Sequence, residues 1–194
     1  MGGVSRHGVF LDRDGTLNVR PREHEYVTSE EDFVWLPGAA EGAARLARAG
    51  YVLTVVSNQR GVARGLVHPS VLHGIEELIQ DELGRYGCSI AAFRYCVHDI
   101  EDACDCRKPK PGMILRLARE FDLDLARSWM IGDSRTDIRT GEAAGCRTAL
   151  LADSGDETEA DVVAPSLAEV SQLIAGWTQP GPERASDSNS STSA

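Results

Sequence analysis

Asp12-Arg13-Asp14-Gly15-Thr16 follows directly on a short apolar run, Val9-Phe10-Leu11. Two carboxylates two residues apart, on a turn opened by glycine, can converge on one reacting centre. One can attack phosphorus and form an aspartyl-phosphate, while the other protonates the leaving group and then activates water. Carboxylates this close repel one another, and a divalent cation relieves that repulsion. Alone, such a turn is an ordinary acidic loop. Three further segments give it company. Ser57-Asn58 closes the apolar run 51–56 and offers a hydroxyl and an amide to phosphoryl oxygens. Asp133, in Gly132-Asp133-Ser134-Arg135-Thr136-Asp137, lies where another metal carboxylate is needed, and Asp137 is placed to orient the loop or cap the next helix. Between them, Arg107-Lys108-Pro109-Lys110-Pro111 sets cations beside the acidic groups.

The elements that must position these residues alternate. Apolar runs predict strands at 9–11, 51–56, 92–97, 129–131 and 148–151. The run at 51–56 has the unbroken apolar pattern of a strand buried on both faces. Helices are predicted at 38–49, 69–87, 113–121, 137–144 and 167–174. In the second of these Leu72, Ile75, Leu78, Ile79 and Leu83 recur at helical spacing and Gly87 closes the segment. This order predicts an α/β domain, a Rossmann-like, mainly parallel sheet flanked by helices. In such sheets ligands bind beyond the carboxyl ends of strands, where Asp12, Ser57 and Asp133 fall. The expected domain is 1–176. Residues 177–194, rich in Pro, Gly, Ser, Asp and Asn, read as a disordered tail.

Cys96-Val97-His98 and Cys104-Asp105-Cys106 bring three thiols and an imidazole into eleven residues. That is a closed, tetrahedral zinc set with no open position for catalysis, although the one-residue gaps are tighter than usual finger spacing. The alternative is a core Cys96 with surface cysteines at 104 and 106. The polar loop 100–103 offers thiols little cover, which favours the structural zinc reading of loop 96–106. Zinc there would hold Arg107 and Lys108 against the acidic site. Cys88 and Cys146 read as core or helix-end residues, and His7, His24, His68 and His73 as solvated or capping ones.

Composition excludes other partners. Thirty acidic against twenty basic residues in 194 give a net charge of -10. A general nucleic-acid or anionic-membrane binder needs a positive field, so neither partner is expected. A small anionic substrate responds to the local site and is not excluded. No secretory apolar segment or membrane-length run occurs, so a cytoplasmic protein is expected. A monomer is expected as well.

The ordered set of motifs resembles the haloacid dehalogenase (HAD) superfamily of phosphohydrolases over residues 9–151. The resemblance implies Asp12 as nucleophile, Asp14 as general acid/base, Ser57 as phosphoryl-binding hydroxyl and Lys108 as charge-neutralising lysine. It implies Mg²⁺ held by Asp12, Asp133 and the backbone carbonyl of Asp14. Ser57 stands where the family often has Thr. The segments between elements leave no room for a large cap domain.

With its C-x-H…C-x-C-R-K-P segment, the chain is similar to two related groups. These are the D-glycero-D-manno-heptose 1,7-bisphosphate 7-phosphatases and the histidinol-phosphate phosphatases. Residues 12–19 (DRDGTLNV), Tyr26-Val27, 33–38, 57–65 (SNQRGVARG) and Pro111-Gly112-Met113 look like the heptose group. That likeness implies a phosphorylated sugar substrate, met by Arg13, Arg20, Tyr26, Asn58, Gln59, Arg60, Arg107 and Ser134. Arg60 and Arg64 would face a second phosphate. The short loop 98–104 is more like the histidinol-phosphate branch, and 20–25 is longer than the usual heptose-type stretch. From another class stands a non-catalytic, zinc-stabilised binding module. The presence of Asp12, Asp14, Lys108 and Asp133 together weighs against it.

Overall fold

Six parallel strands form one sheet: β1 (Gly8–Leu11), β2 (Val52–Asn58), β3 (Ala92–Cys96), β4 (Trp129–Gly132), β5 (Arg147–Leu151) and β6 (Val162–Ala164). The spatial order is β3-β2-β1-β4-β5-β6. The computed structural model describes residues 6–22, 24–153 and 159–177. The tail expected over 177–194 therefore lies, from residue 178 on, outside the described residues. Helices α1 (Ala39–Arg48), α2 (Arg60–Ala63), α3 (Pro69–Arg85), α4 (Gly112–Phe121), α5 (Arg135–Ala144) and α6 (Leu167–Ala175) connect the strands.

Strand alternation divides the core between the two faces of the sheet. Val9 and Leu11 of β1 join Leu53, Val55, Trp129 and Ile131 on one side, under α1, α3 and α6. Phe10 points the other way and joins Val56, Met130, Met113, Ile114 and Leu117 beneath α4. All of these are buried. The Ala-rich face of α1 lets α6 come close: a Cβ on Gly42 would lie 2.7 Å from the Leu167 backbone.

The predicted α/β class, with its parallel sheet and flanking helices, is the observed architecture. Two details differ. The strand read as 51–56 runs on through Ser57 and Asn58, which pair in register with Tyr95 and Cys96 of β3. A sixth strand, β6, pairs with β5 through Ala149 and Val162. Three residues are too few to show a period. The connections from β1 to α1 and from β2 to β3 hold loops, α2 and α3, with no large cap over the strand ends. Among the described residues no helix is long and apolar enough to cross a membrane.

Candidate active site

Strand β1 lies between β2 and β4, so its carboxyl end opens at the point where the strand order reverses, the usual ligand crevice of such sheets. Asp12 is the first residue beyond β1, and its N–H donates to the Ile131 carbonyl of β4 at 2.9 Å. Asp12, Asp14, Ser57 and Lys108 line one cleft of about 280 Å³ with Arg20, Asn58, Ser134 and Asp137. The buried Lys108 ammonium donates to Asp12 Oδ1 at 2.7 Å and to Asp137 Oδ1 at 2.6 Å. The four residues expected to do the chemistry therefore meet, from three separate segments.

Burial pushes the Asp12 carboxyl up to about 6; Lys108 opposes that shift, while Asp137 and Asp14 add to it. Burial likewise raises Asp133 to about 7, opposed by Arg20 and reinforced by Asp12 and Asp137. Burial alone would lower the lysine, but the two carboxylates at Lys108 Nζ more than offset it and the net shift is upward. One oxygen from each of Asp12, Asp133 and Asp137 lies within 4.8 Å of the others. Desolvated carboxylates at this spacing are an all-oxygen set that fits a hard divalent cation such as Mg²⁺. Gly15 makes the packing possible. Its φ of +91° suits glycine, and a Cβ there would collide with the Asp133 carboxylate.

Several residues expected at the substrate also make contacts within the protein. Arg13 is 1% exposed. Its guanidinium grips the Asp14 carboxylate through Nη2 at 2.8 and 2.9 Å, so it orients Asp14 from behind the cleft. Gln59 is buried, and its Nε2 donates to Asp14 Oδ2 at 2.9 Å and to Ser57 Oγ at 3.0 Å. It thus joins the hydroxyl to the acid/base candidate. Asn58 donates to the Lys108 carbonyl and accepts from the Lys108 N–H. Ser134 caps α5 in a reciprocal box with Asp137.

Three of the arginines are also engaged. Arg60 pairs with Asp99 at 2.6 Å. Arg64 reaches the Tyr26 hydroxyl at 3.5 Å. Arg20 pairs with Asp133 across 113 residues of sequence. Arg107 is half-buried, and its Nη1 is enclosed without a hydrogen-bond partner among the described residues. Asp137 has a role beyond the capping read from sequence: it is the second carboxylate on Lys108. No local signal links positions 108 and 137.

Cys96, at the end of β3, meets His98, Cys104 and Cys106 in one cluster. Sulfur–sulfur separations are 3.5 Å for Cys96–Cys104 and 3.4 Å for Cys104–Cys106. His98 Nδ1 lies 3.7 Å from Cys96 Sγ and 3.2 Å from Cys106 Sγ. Tetrahedral zinc with ordinary bond lengths requires about 3.8 Å between sulfurs and about 3.6 Å between sulfur and nitrogen. The cluster can therefore close on a metal with small shifts. Burial raises the Cys104 thiol, but hydrogen bonds from Cys106, the Arg107 N–H and Cys96 outweigh it and bring it down to about 7. Cys88 sits past the end of α3, with its thiol donating to the Leu83 carbonyl, and Cys146 is half-buried after α5. His68 caps α3, as its isolation suggested.

Residues 105–172 match the HAD-hydrolase-like family. The chain belongs to the HAD-like family of hydrolases, among its phosphoric monoester hydrolases. The D-glycero-beta-D-manno-heptose-1,7-bisphosphate 7-phosphatase of Vibrio cholerae is 38% identical over 185 residues, spanning 88% of this chain and 97% of the relative. The Rhodopseudomonas palustris protein of the same name is 40% identical over 147 residues, 72% of this chain and 80% of its own length. The crystal structure of the D,D-heptose 1,7-bisphosphate phosphatase of B. bronchiseptica, complexed with magnesium and phosphate, matches with a TM-score of 0.78. It is 34% identical and covers 87% of this chain and 97% of its own.

Proposed function

We propose that this phosphatase removes the 7-phosphate of D-glycero-D-manno-heptose 1,7-bisphosphate. The observation that carries the reading is the convergence of Asp12, Ser57 and Lys108 in one cleft, in a chain whose relatives are named for that activity. In the first step an Asp12 oxygen attacks phosphorus, the bond from phosphorus to the sugar oxygen breaks, and Asp14 gives that oxygen a proton. In the second, Asp14 takes a proton from water. The water oxygen attacks phosphorus, the bond to Asp12 breaks, and inorganic phosphate leaves. The ion pair with Arg13 fixes the position of the Asp14 carboxylate for both steps. Lys108 neutralises charge on the transferring group and Ser57 Oγ positions it.

Asp12, Asp133 and the Asp14 carbonyl would hold Mg²⁺, which supplies further charge neutralisation when bound. Cys96, His98, Cys104 and Cys106 would hold Zn²⁺ as a structural clip, fixing the chain just ahead of Lys108. In this reading residues 1–176 act as one monomeric unit in the reducing cytoplasm, where thiols stay available for zinc. Phosphate release from the heptose bisphosphate, with and without Mg²⁺, tests the activity. Turnover that needs no divalent cation would contradict it.

A further inference from the structure

Arg20 stands at the junction of two concavities. It lines the reaction cleft and also a neighbouring groove of about 730 Å³ that includes Tyr26, Val34 and Leu66. Its side chain is 52% exposed, yet Nη2 donates to Oδ1 of Asp133, whose side chain is only 14% exposed. Asp133 faces two other carboxylates, Asp12 and Asp137, within 4.8 Å. Lys108 answers Asp12 and Asp137 but makes no salt bridge to Asp133. The cation balancing Asp133 is therefore Arg20, brought in from a loop. A guanidinium hydrogen-bonded to a carboxylate oxygen uses electron pairs that a divalent ion would need.

We infer that Arg20 is a tethered stand-in for the divalent cation at Asp133, and that metal binding exchanges it out. The Arg20 side chain then turns toward the adjoining groove, where its free guanidinium meets the part of the substrate beyond the transferred phosphate. One residue thereby links loading of the metal to recognition of the substrate. Its exposed, long side chain allows this movement without disturbing the core, because among the described residues it is held at the guanidinium tip. The exchange rests on the phosphatase reading above, which supplies the cation.

The test is a calorimetric titration of Mg²⁺ into the zinc-replete protein and its Arg20→Gln, Arg20→Lys and Arg22→Gln variants. Exposed ion pairs contribute little, so removing the competitor should tighten Mg²⁺ about two- to fivefold in Arg20→Gln. Arg20→Lys should fall between, because an ammonium pairs with a carboxylate less specifically than the guanidinium fork does. Arg22→Gln removes the same charge from the same exposed loop and should leave Mg²⁺ affinity unchanged. Equal or weaker Mg²⁺ binding in Arg20→Gln would overturn the inference. So would equal tightening by Arg22→Gln, since overall charge would then explain the effect. No Mg²⁺ binding by the unaltered protein would instead defeat the phosphatase reading.

Discussion

The side-chain amide of Asn58 brackets the backbone of Lys108. Its nitrogen donates to the Lys108 carbonyl at 3.1 Å and its oxygen accepts from the Lys108 N–H at 3.0 Å. The tip of β2 thus holds the lysine whose ammonium lies 2.7 Å from Asp12. Asn58→Ala should lower kcat by about ten- to a hundredfold, the scale of a small misplacement of a charged group, with a smaller change in KM. Asn58→Asp keeps the acceptor and should recover part of the loss. Steady-state kinetics on both variants check this; equal losses in the two would argue against the bracket.

Asp12→Asn should lower kcat more than about a thousandfold, because the amide cannot form the covalent intermediate. Its circular dichroism spectrum should match that of the parent. Substantial remaining turnover in the pure variant would remove Asp12 from the nucleophile's role.

The raised Asp12 and Asp133 carboxyls predict how Mg²⁺ stabilisation varies with pH. Both groups bind their protons more tightly folded than unfolded, so folding takes up protons. The metal-free protein should therefore lose stability as pH rises from the ordinary carboxyl range, about 4, through about 6 for Asp12 and about 7 for Asp133. Mg²⁺ offsets the exposed repulsion only when the carboxylates are charged. Thermal melts with and without Mg²⁺ should show a larger rise in Tm at pH 8 than at pH 5. A larger rise at pH 5 would reverse the sign and reject the argument.

Cys104→Ser should cost the protein its zinc and about ten- to a hundredfold in kcat/KM, because the clip ends at Cys106, immediately ahead of Arg107 and Lys108. Cys104 lies outside every strand and helix, so far-UV circular dichroism should be retained. Elemental analysis of protein purified without chelators, compared with the variant, measures the metal directly. An absence of zinc in the parent would dismiss the clip.

The parts legible in the sequence are those with a local cause. Unbroken apolar runs mark β1, β2 and β4, and the acidic residues that follow β1 and β4 mark strand ends. The cysteine cluster was visible because three thiols and His98 stand within eleven residues. What escaped depends on contacts between distant segments. The identities of Arg13, Asn58, Gln59 and Ser134 suggest ligand contact, but their rotamers turn them onto Asp14, Lys108, Ser57 and Asp137. The Lys108–Asp137 and Arg20–Asp133 pairs span 29 and 113 residues, beyond any local pattern. Strand β6 is too short for periodicity to reveal, and α2 is a single turn.

Competing kinetics test the identity of the substrate most directly. Measured side by side with Mg²⁺ present, kcat/KM for D-glycero-D-manno-heptose 1,7-bisphosphate should exceed that for histidinol phosphate by about a hundredfold, a difference of roughly 2.7 kcal/mol in transition-state binding. Preferential hydrolysis of histidinol phosphate would contradict the account.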